Sequence, residues 1–256
     1  MKSFEELVSE AESRKFEGWD FTYLRGRLIQ DPTPWDYQKI VSGLLPDADS
    51  LVDVGTGGGE LLSSLHPLPT NTFALEGYHP NVSVAKRRLR PLKVDVIETS
   101  CDDNDKVPQR GALPFRDGSI GLVIDRHEAF VAYEVSRVLA PGGHFVTQQV
   151  GGSSYPELNE VLGQPGKESK WNLGEAMKQV ERAGLAPVES YEAALGVWFS
   201  DIGAIVYHLK AVPWQVIGFS VKGYDCKLRE LDSSIRKNGP FRVTLPLFLV
   251  HAKKPG

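Results

Sequence analysis

The most constraining stretch of the chain is Leu51-Val52-Asp53-Val54-Gly55-Thr56-Gly57-Gly58-Gly59-Glu60. A short apolar strand ends beside an acid, and a glycine-dense turn then opens a short helix expected around Glu60–Leu65. Glycine takes positive φ without steric cost and lets a ligand approach the backbone. Such a turn belongs at the carboxyl end of a strand in an open α/β sheet, where these sheets bind ligands. Two phosphate-binding readings fit it poorly. The dinucleotide pattern G-x-G-x-x-G is met at Gly55 and Gly57, but position 60 is Glu60, whose carboxylate would face a pyrophosphate. A P-loop needs a lysine after its last glycine, and none follows here. The readings left open are another kind of nucleoside-binding turn and a turn that only shapes the chain.

The surrounding pattern repeats the alternation. Strands are expected at Leu51–Val54, Thr72–Glu76, Val94–Ile97, Ile120–Asp125 and His144–Val150. Helices are expected between them at Pro80–Leu89 and Glu128–Leu139, the second stopped by Pro141-Gly142-Gly143. Short, nearly continuous apolar strands joined through helices imply right-handed crossovers and a parallel sheet covered on both faces. Before this region, residues 3–15 read as an amphipathic helix with Ser3 and Glu6 at capping-box spacing. Residues 16–33 read as irregular and aromatic-rich, and a second helix is expected from Thr33 as cap, with Pro34 first, to about Leu45. After it, a helix is expected at 171–184 with Asn172 as cap, strands near Pro187–Val197 and Phe241–Ala252, and helices between these at Ile202–Leu209 and Val221–Ile235.

A length of 256 residues suits one larger α/β domain. A formal charge of -4 argues against a nucleic-acid partner. The one basic run, Lys86, Arg87, Arg88, Arg90 and Lys93, reads as the solvated face of a helix. Cys101 and Cys226 are far apart and outside C-x-x-C spacing, which excludes a zinc ribbon and suits reduced thiols in the cytoplasm. No metal is expected. The start MKSFEELVSE lacks the apolar core of a signal peptide, and no apolar run is long enough for a bilayer. The expected protein is cytoplasmic, off the membrane, and a monomer or homodimer.

Three further segments turn the glycine loop into a resemblance. Ala74-Leu75-Glu76-Gly77 ends the second strand with an acid 21 residues after Gly55; Gly111-Ala112-Leu113-Pro114-Phe115 precedes the fourth strand; Glu134-Val135-Ser136-Arg137-Val138-Leu139-Ala140-Pro141-Gly142-Gly143 leads into the fifth. In this order, over about residues 35–150, they resemble the class I S-adenosylmethionine-dependent methyltransferases, and among them the ubiquinone/menaquinone-type (type 11) branch acting on small molecules. The resemblance implies a doubly wound seven-stranded sheet in the order 3-2-1-4-5-7-6, last strand antiparallel, with a small helical cap. It implies one methyltransferase domain: a helical cap at 1–46, a cofactor-binding half at 47–152 and a substrate-side half at 153–256 with a cap insertion at about 198–238. The implied cofactor is S-adenosyl-L-methionine, leaving as S-adenosyl-L-homocysteine. Asp53, Gly55, Thr56 and Gly57 would form its cradle, Glu76 and Gly77 its ribose site, and Gly111 and Ala112 its adenine site, with Arg126 also in contact. Tyr37 or Arg25 would reach its carboxylate. The adenine-contacting Asp of the family is missing from Gln109-Arg110-Gly111-Ala112, which leaves Asp102 or Asp103 in that role.

The acceptor is expected to be a small molecule methylated at O, N, S or C. RNA or protein methylation, or cofactor binding without catalysis, are the alternatives. Methyl transfer from a sulfonium is an in-line displacement with a neutral leaving group, so positioning supplies much of the acceleration. A base matters only where the acceptor arrives protonated. The fourth strand ends in Asp125-Arg126-His127-Glu128. His127 and Glu128 are the candidates for acceptor binding or proton removal; the alternative is that Glu128 caps its helix and pairs with Arg126. Gln148 and Gln149 leave the fifth strand either to orient a polar acceptor or to satisfy nearby backbone. Trp35, Trp198 and Trp214, with Trp19, Tyr23 and Tyr207, are expected to close over the site and exclude water.

Overall fold

A computed structural model describes residues 2–16, 21–99, 112–164 and 170–256. In chain order the first half contains α1 (Phe4–Ser13), β1 (Leu28–Gln30), α2 (Tyr37–Leu44), β2 (Ser50–Val54), β3 (Asn71–Glu76), α3 (His79–Leu89), β4 (Asp95–Glu98) and β5 (Ile120–Arg126). The second half contains α4 (Ala132–Val138), β6 (Leu139–Val150), α5 (Pro156–Val161), α6 (Leu173–Arg182), β7 (Ala186–Phe199), α7 (Ile202–Ala211), α8 (Val221–Asn238) and β8 (Phe241–Lys253). The strands follow one another as β1-β7-β8-β6-β5-β2-β3-β4. Without β1 this is the order 3-2-1-4-5-7-6, and β8 runs antiparallel to β6. Among the described residues the strand count is therefore eight and not seven. The extra strand comes from the stretch read as irregular: Leu28–Gln30 pairs antiparallel with Val197–Phe199.

Several elements start or stop away from their expected ends, each for a visible reason. The α1 capping box is present, with Glu6 N donating to Ser3 Oγ and Ser3 N to Glu6 Oε2, and Phe4, Leu7, Val8 and Ala11 are buried as one stripe. Helix α2 begins at Tyr37 rather than beside Thr33, because the Asp36 carboxylate accepts from Lys39 N at 3.0 Å and sets the cap there. The helix expected at Glu60–Leu65 is only a 3-10 turn at Leu62–Ser64, where both serine hydroxyls donate to carbonyls of their own turn. Helix α4 begins at Ala132 instead of Glu128, because side chains hold the main chain of residues 127–129 in another shape, described below. Leu139 already pairs with Ile120, so β6 starts before Pro141-Gly142-Gly143.

The chain divides into two compact units. One comprises Pro34–Val150, Trp171–Glu192 and Leu247–Gly256. Its core joins Val52, Leu75, Val123, Phe145, Phe248 and Val250 of the sheet to Val135 and Val138 of α4 and Ala176 and Val180 of α6. The other comprises Met1–Thr33, Gly151–Lys170 and Ala193–Pro246. There α7 is buried along its whole length except Lys210. Asp201 caps α7 and takes an ion pair from Arg27, whose guanidinium lies over the Tyr23 ring at 4.2 Å. His208 of α7 is buried against the rings of Tyr155 and Phe199. No helix among the described residues is long and apolar enough to cross a membrane.

Candidate active site

The site is built where β2, β3, β5 and β6 end. Parallel pairing puts Asp53 of β2 level with Ala74 of β3 and Ile124 of β5, and Val54 level with Asp125. Strand β2 lies between the two directions in which the sheet is wound, the place where open α/β sheets leave a crevice. The turn that follows β2 has Gly55, Gly57 and Gly59 at φ of 68, 62 and 79°. Gly55 has a second constraint: a Cβ there would lie 2.5 Å from Glu128 Cβ and 2.6 Å from its Cγ. Gly55→Ala should therefore lose about 1–2 kcal/mol to the left-handed backbone alone, and more to the clash. A denaturation midpoint equal to that of the unmutated protein would contradict this packing. Glu60, the residue that departs from the dinucleotide pattern, is turned to Arg88, which also binds Gly58 O.

Carboxylates crowd this crevice. Asp53 is 2% exposed, Glu76 4% and Asp125 0%. Burial pushes the Asp53 carboxyl up to about 7; Thr56 and Arg126 oppose the shift and Glu76 adds to it. Asp53 Oδ2 and Thr56 Oγ1 are both buried without a hydrogen-bond partner, so the Thr56 hydroxyl tempers the shift from nearby without bonding geometry. Burial also raises Glu76, whose Oε1 accepts from Tyr78 N at 2.7 Å and whose Oε2 accepts from Asn81 Nδ2 at 3.4 Å. Asp125 is pushed well up by burial and by the nearby Glu128 and Asp53 carboxylates, and its Oδ2 is a third unpartnered buried oxygen.

The ends of β5 and β6 interlock. Asp125 Oδ1 accepts from Glu128 N at 3.1 Å and from Gln149 Nε2 at 3.1 Å. Gln149 Nε2 also lies 2.7 Å from Glu128 O. These bonds hold the corner, with His127 at φ 71° and its N–H donating to Gln148 O at 2.8 Å. Gln149, 5% exposed, is thus spent on its own chain. Gln148 points elsewhere: its Oε1 accepts from Trp35 Nε1 at 2.8 Å, and its Nε2 is 3.0 Å from His127 Nε2. The Trp35 ring stacks on Tyr191, 6.0 Å between centroids and 21° between planes.

Residues 52–147 match the family model described as a methyltransferase domain. Residues 52–147 are a methyltransferase domain of the type 11 family. The chain is 28% identical over 197 residues to a malonyl-[acyl-carrier protein] O-methyltransferase of a Marinomonas strain, covering 71% of this chain and 72% of that one. Among solved structures it is similar to a methyltransferase candidate from Bacillus halodurans, with a TM-score of 0.59 at 18% identity, covering 86% of this chain and 99% of that one. It is also similar to the [4+2]-cyclase SpnF, with a TM-score of 0.51 at 15% identity, covering 98% and 93%. At such identities these likenesses speak for the fold alone, and the cyclase shows why the reaction must be argued from the site.

This methyltransferase uses S-adenosylmethionine as its family does, and the described residues fit a cation. Three buried oxygens without partners and four neighbouring carboxylates, Glu128 included, suit a ligand carrying a sulfonium and an ammonium. They do not suit a pyrophosphate. Glu76, Gly77, Asp53, Gly55, Thr56 and Gly57 are brought together at the turn. Ala112 is exposed ahead of β5; Gly111, Trp19, Gln109, Arg110, Asp102, Asp103 and Cys101 lie outside the described residues.

Tyr37 departs from its expected role: it is 6% exposed, and its hydroxyl reaches the carbonyls of Asp125 at 3.2 Å and Val146 at 3.4 Å. Its one proton is committed to supporting β5 and β6. Arg25, Trp198 and Trp214 belong to the other unit. There Trp198 lies under Arg242, 5.7 Å from its guanidinium, and Trp214 is 60% exposed. Two contributors escaped the sequence reading. Asn81 is fully buried against Glu76, and Tyr191 stacks on Trp35. Asn81 carries one signal, a polar residue on the buried stripe of α3; Tyr191 carries none. Among the described residues no group of three or more His, Cys, Asp or Glu is placed to hold a metal ion.

Proposed function

We propose that this methyltransferase transfers the methyl group of S-adenosylmethionine to a small molecule, with S-adenosylhomocysteine as the second product. The observation that carries the reading is the set of buried, incompletely bonded carboxylates around the glycine turn. When bound, the cofactor supplies an electrophilic methyl group on a cationic sulfur. In this reading Glu76 and Gly77 hold the ribose, Asp53, Thr56 and the amides of Gly55 and Gly57 hold the amino-acid end, and Gly111 and Ala112 flank the adenine. Arg126, His127 and Glu128, at and just after the end of β5, face the acceptor, with Gln148 of β6 and Trp35, ahead of α2, supporting them. Oxygen stands first among the possible acceptor atoms, because the curated relative is an O-methyltransferase. Assay of S-adenosylhomocysteine against an acceptor panel tests the reading. Tight cofactor binding with no product from any acceptor would favour a binding protein; binding of NADH in place of S-adenosylmethionine would remove the reading altogether.

The raised Asp53 carboxyl makes a second prediction. Below about 7 it is neutral in the protein and cannot balance a cation; above it the anion is available. Affinity for S-adenosylmethionine should rise about tenfold between pH 6 and pH 8. Calorimetry should find this rise flattened in Asp53→Asn.

A further inference from the structure

We propose that Trp35 and Gln148 lock His127 as the neutral ring with its proton on Nδ1, so that it donates a hydrogen bond to an acidic acceptor instead of removing a proton from one. The proposal rests on the methyl-transfer reading above.

The argument is one of donors and acceptors. An indole N–H only donates. It lies 2.8 Å from Gln148 Oε1, with Trp35 6% and Gln148 3% exposed, so the amide is fixed with its oxygen toward Trp35. The amide NH2 is then the group 3.0 Å from His127 Nε2, and it too only donates. Nε2 must therefore accept. A proton on Nε2, in the other tautomer or in the cation, would set N–H against N–H. The main chain that carries the ring is fixed as well, with His127 N donating to Gln148 O at φ 71°. Crowding by the surrounding protein and the neighbouring Arg126 also lower the imidazole pKa, although the residue keeps exposed surface.

The lock takes from His127 the lone pair a general base would use. It leaves Nδ1–H, which has no hydrogen-bond partner among the described residues. Beside it stands Arg126, exposed and without an ion pair among those residues. The charged groups alongside are Asp125, held by Glu128 N and Gln149, and Glu128, whose Oε1 accepts from Ala129 N. The partners facing His127 and Trp35 from β6 and β7, Gln148 and Tyr191, are uncharged. A neutral N–H donor next to a guanidinium recognises an anionic oxygen, and a carboxylate is the acceptor that needs no base at neutral pH. In that step a carboxylate oxygen forms the new bond to the methyl carbon. The carbon–sulfur bond breaks with its electron pair on sulfur, and no proton moves. His127 is then a catalytic residue in contact with the acceptor; Gln148 and Trp35 are positioning residues.

Nuclear magnetic resonance of protein labelled at histidine tests the lock without any acceptor. The His127 signals, identified by their loss in His127→Asn, should report a neutral ring with Nδ1 protonated from pH 5 to pH 8. In Trp35→Phe the amide is free to turn, and the Nε2–H form should appear. Gln148→Glu offers a carboxylate to Nε2, so the ring should switch to Nε2–H and become easier to protonate. A wild-type ring protonated on Nε2, or charged at pH 7, overturns the proposal. On the chemical side, carboxylic acids should give base-labile methyl esters, and Gln148→Glu should lower that turnover at least tenfold. Methylation confined to amines, thiols or neutral alcohols overturns the acidic-acceptor role. If the wild-type protein binds no S-adenosylmethionine in calorimetry, the methyl-transfer reading fails instead, and the tautomer result separates the two failures.

Discussion

Glu76→Ala is expected to weaken binding of S-adenosylhomocysteine by a hundredfold or more in calorimetry. Tyr78 N and Asn81 Nδ2 each take one lone pair of the carboxylate and fix its direction. An ionised carboxylate has about four acceptor sites, so about two remain for a pair of ribose hydroxyls. Hydrogen bonds to a charged group contribute about 1.5–3 kcal/mol each. Losing two removes roughly 3–6 kcal/mol, and every 1.4 kcal/mol is about a factor of ten. Glu76→Gln keeps an oxygen for Tyr78 N but gives up the charge, so its loss should fall between. Wild-type affinity in Glu76→Ala would detach β3 from the ribose and with it the central assignment of the site.

The second large effect concerns stability in acid. His208 is buried in α7 with Nε2 unpartnered, and burial lowers its pKa to about 4 from 6.5. Between those values the unfolded chain holds more protons than the folded one, so stability falls as pH drops through 6.5 toward 4. At pH 5 the loss from this one group amounts to about 2 kcal/mol relative to pH 7.5. Asp53 works in the opposite sense, because its raised pKa lets the folded state gain protons, and hence stability, as pH falls below about 7. The His208 effect is therefore read as a difference. His208→Phe should gain roughly 2 kcal/mol on the unmutated protein between pH 7.5 and pH 5 in urea unfolding. A gap independent of pH would mean that the imidazole is charged, or reaches water, in the folded state.

How much of this was legible in the sequence differs by element. The parallel half announced itself because β2, β3 and β5 are buried nearly throughout, and such strands read as apolar runs between glycine and proline punctuation. The positions of Gly55, Gly57 and Glu76 followed, since backbone shape and strand register alone bring them to the ends of β2 and β3. Strand β1 was illegible because three residues carry no usable period, and its pairing with β7 lies about 170 positions away along the chain. The start of α4 was misread for the opposite reason: Ala132–Val138 has a clear stripe, but a local bond to Asp125 and one from Gln149 on β6 override helical preference at Glu128. The same partners decide the roles at the site. Gln148 and Gln149 are adjacent and alike in sequence, yet one turns to Asp125 and the other to Trp35 and His127. Tyr37 looked like a ligand contact because aromatic composition says nothing about which carbonyls its hydroxyl will meet.

The convergence of acids at the tips of β2, β3 and β5 has a bearing on the enzyme's endurance as well as its chemistry. Strands fixed in register cannot splay to relieve mutual repulsion, so the folded chain is most vulnerable whenever no counter-charge sits among those groups. A cofactor that binds only the native form would then act as a thermal safeguard, worth about 2.7 kcal/mol at a hundred times its dissociation constant. The lifetime of this enzyme in a cell would track how well the cell is supplied with activated methionine.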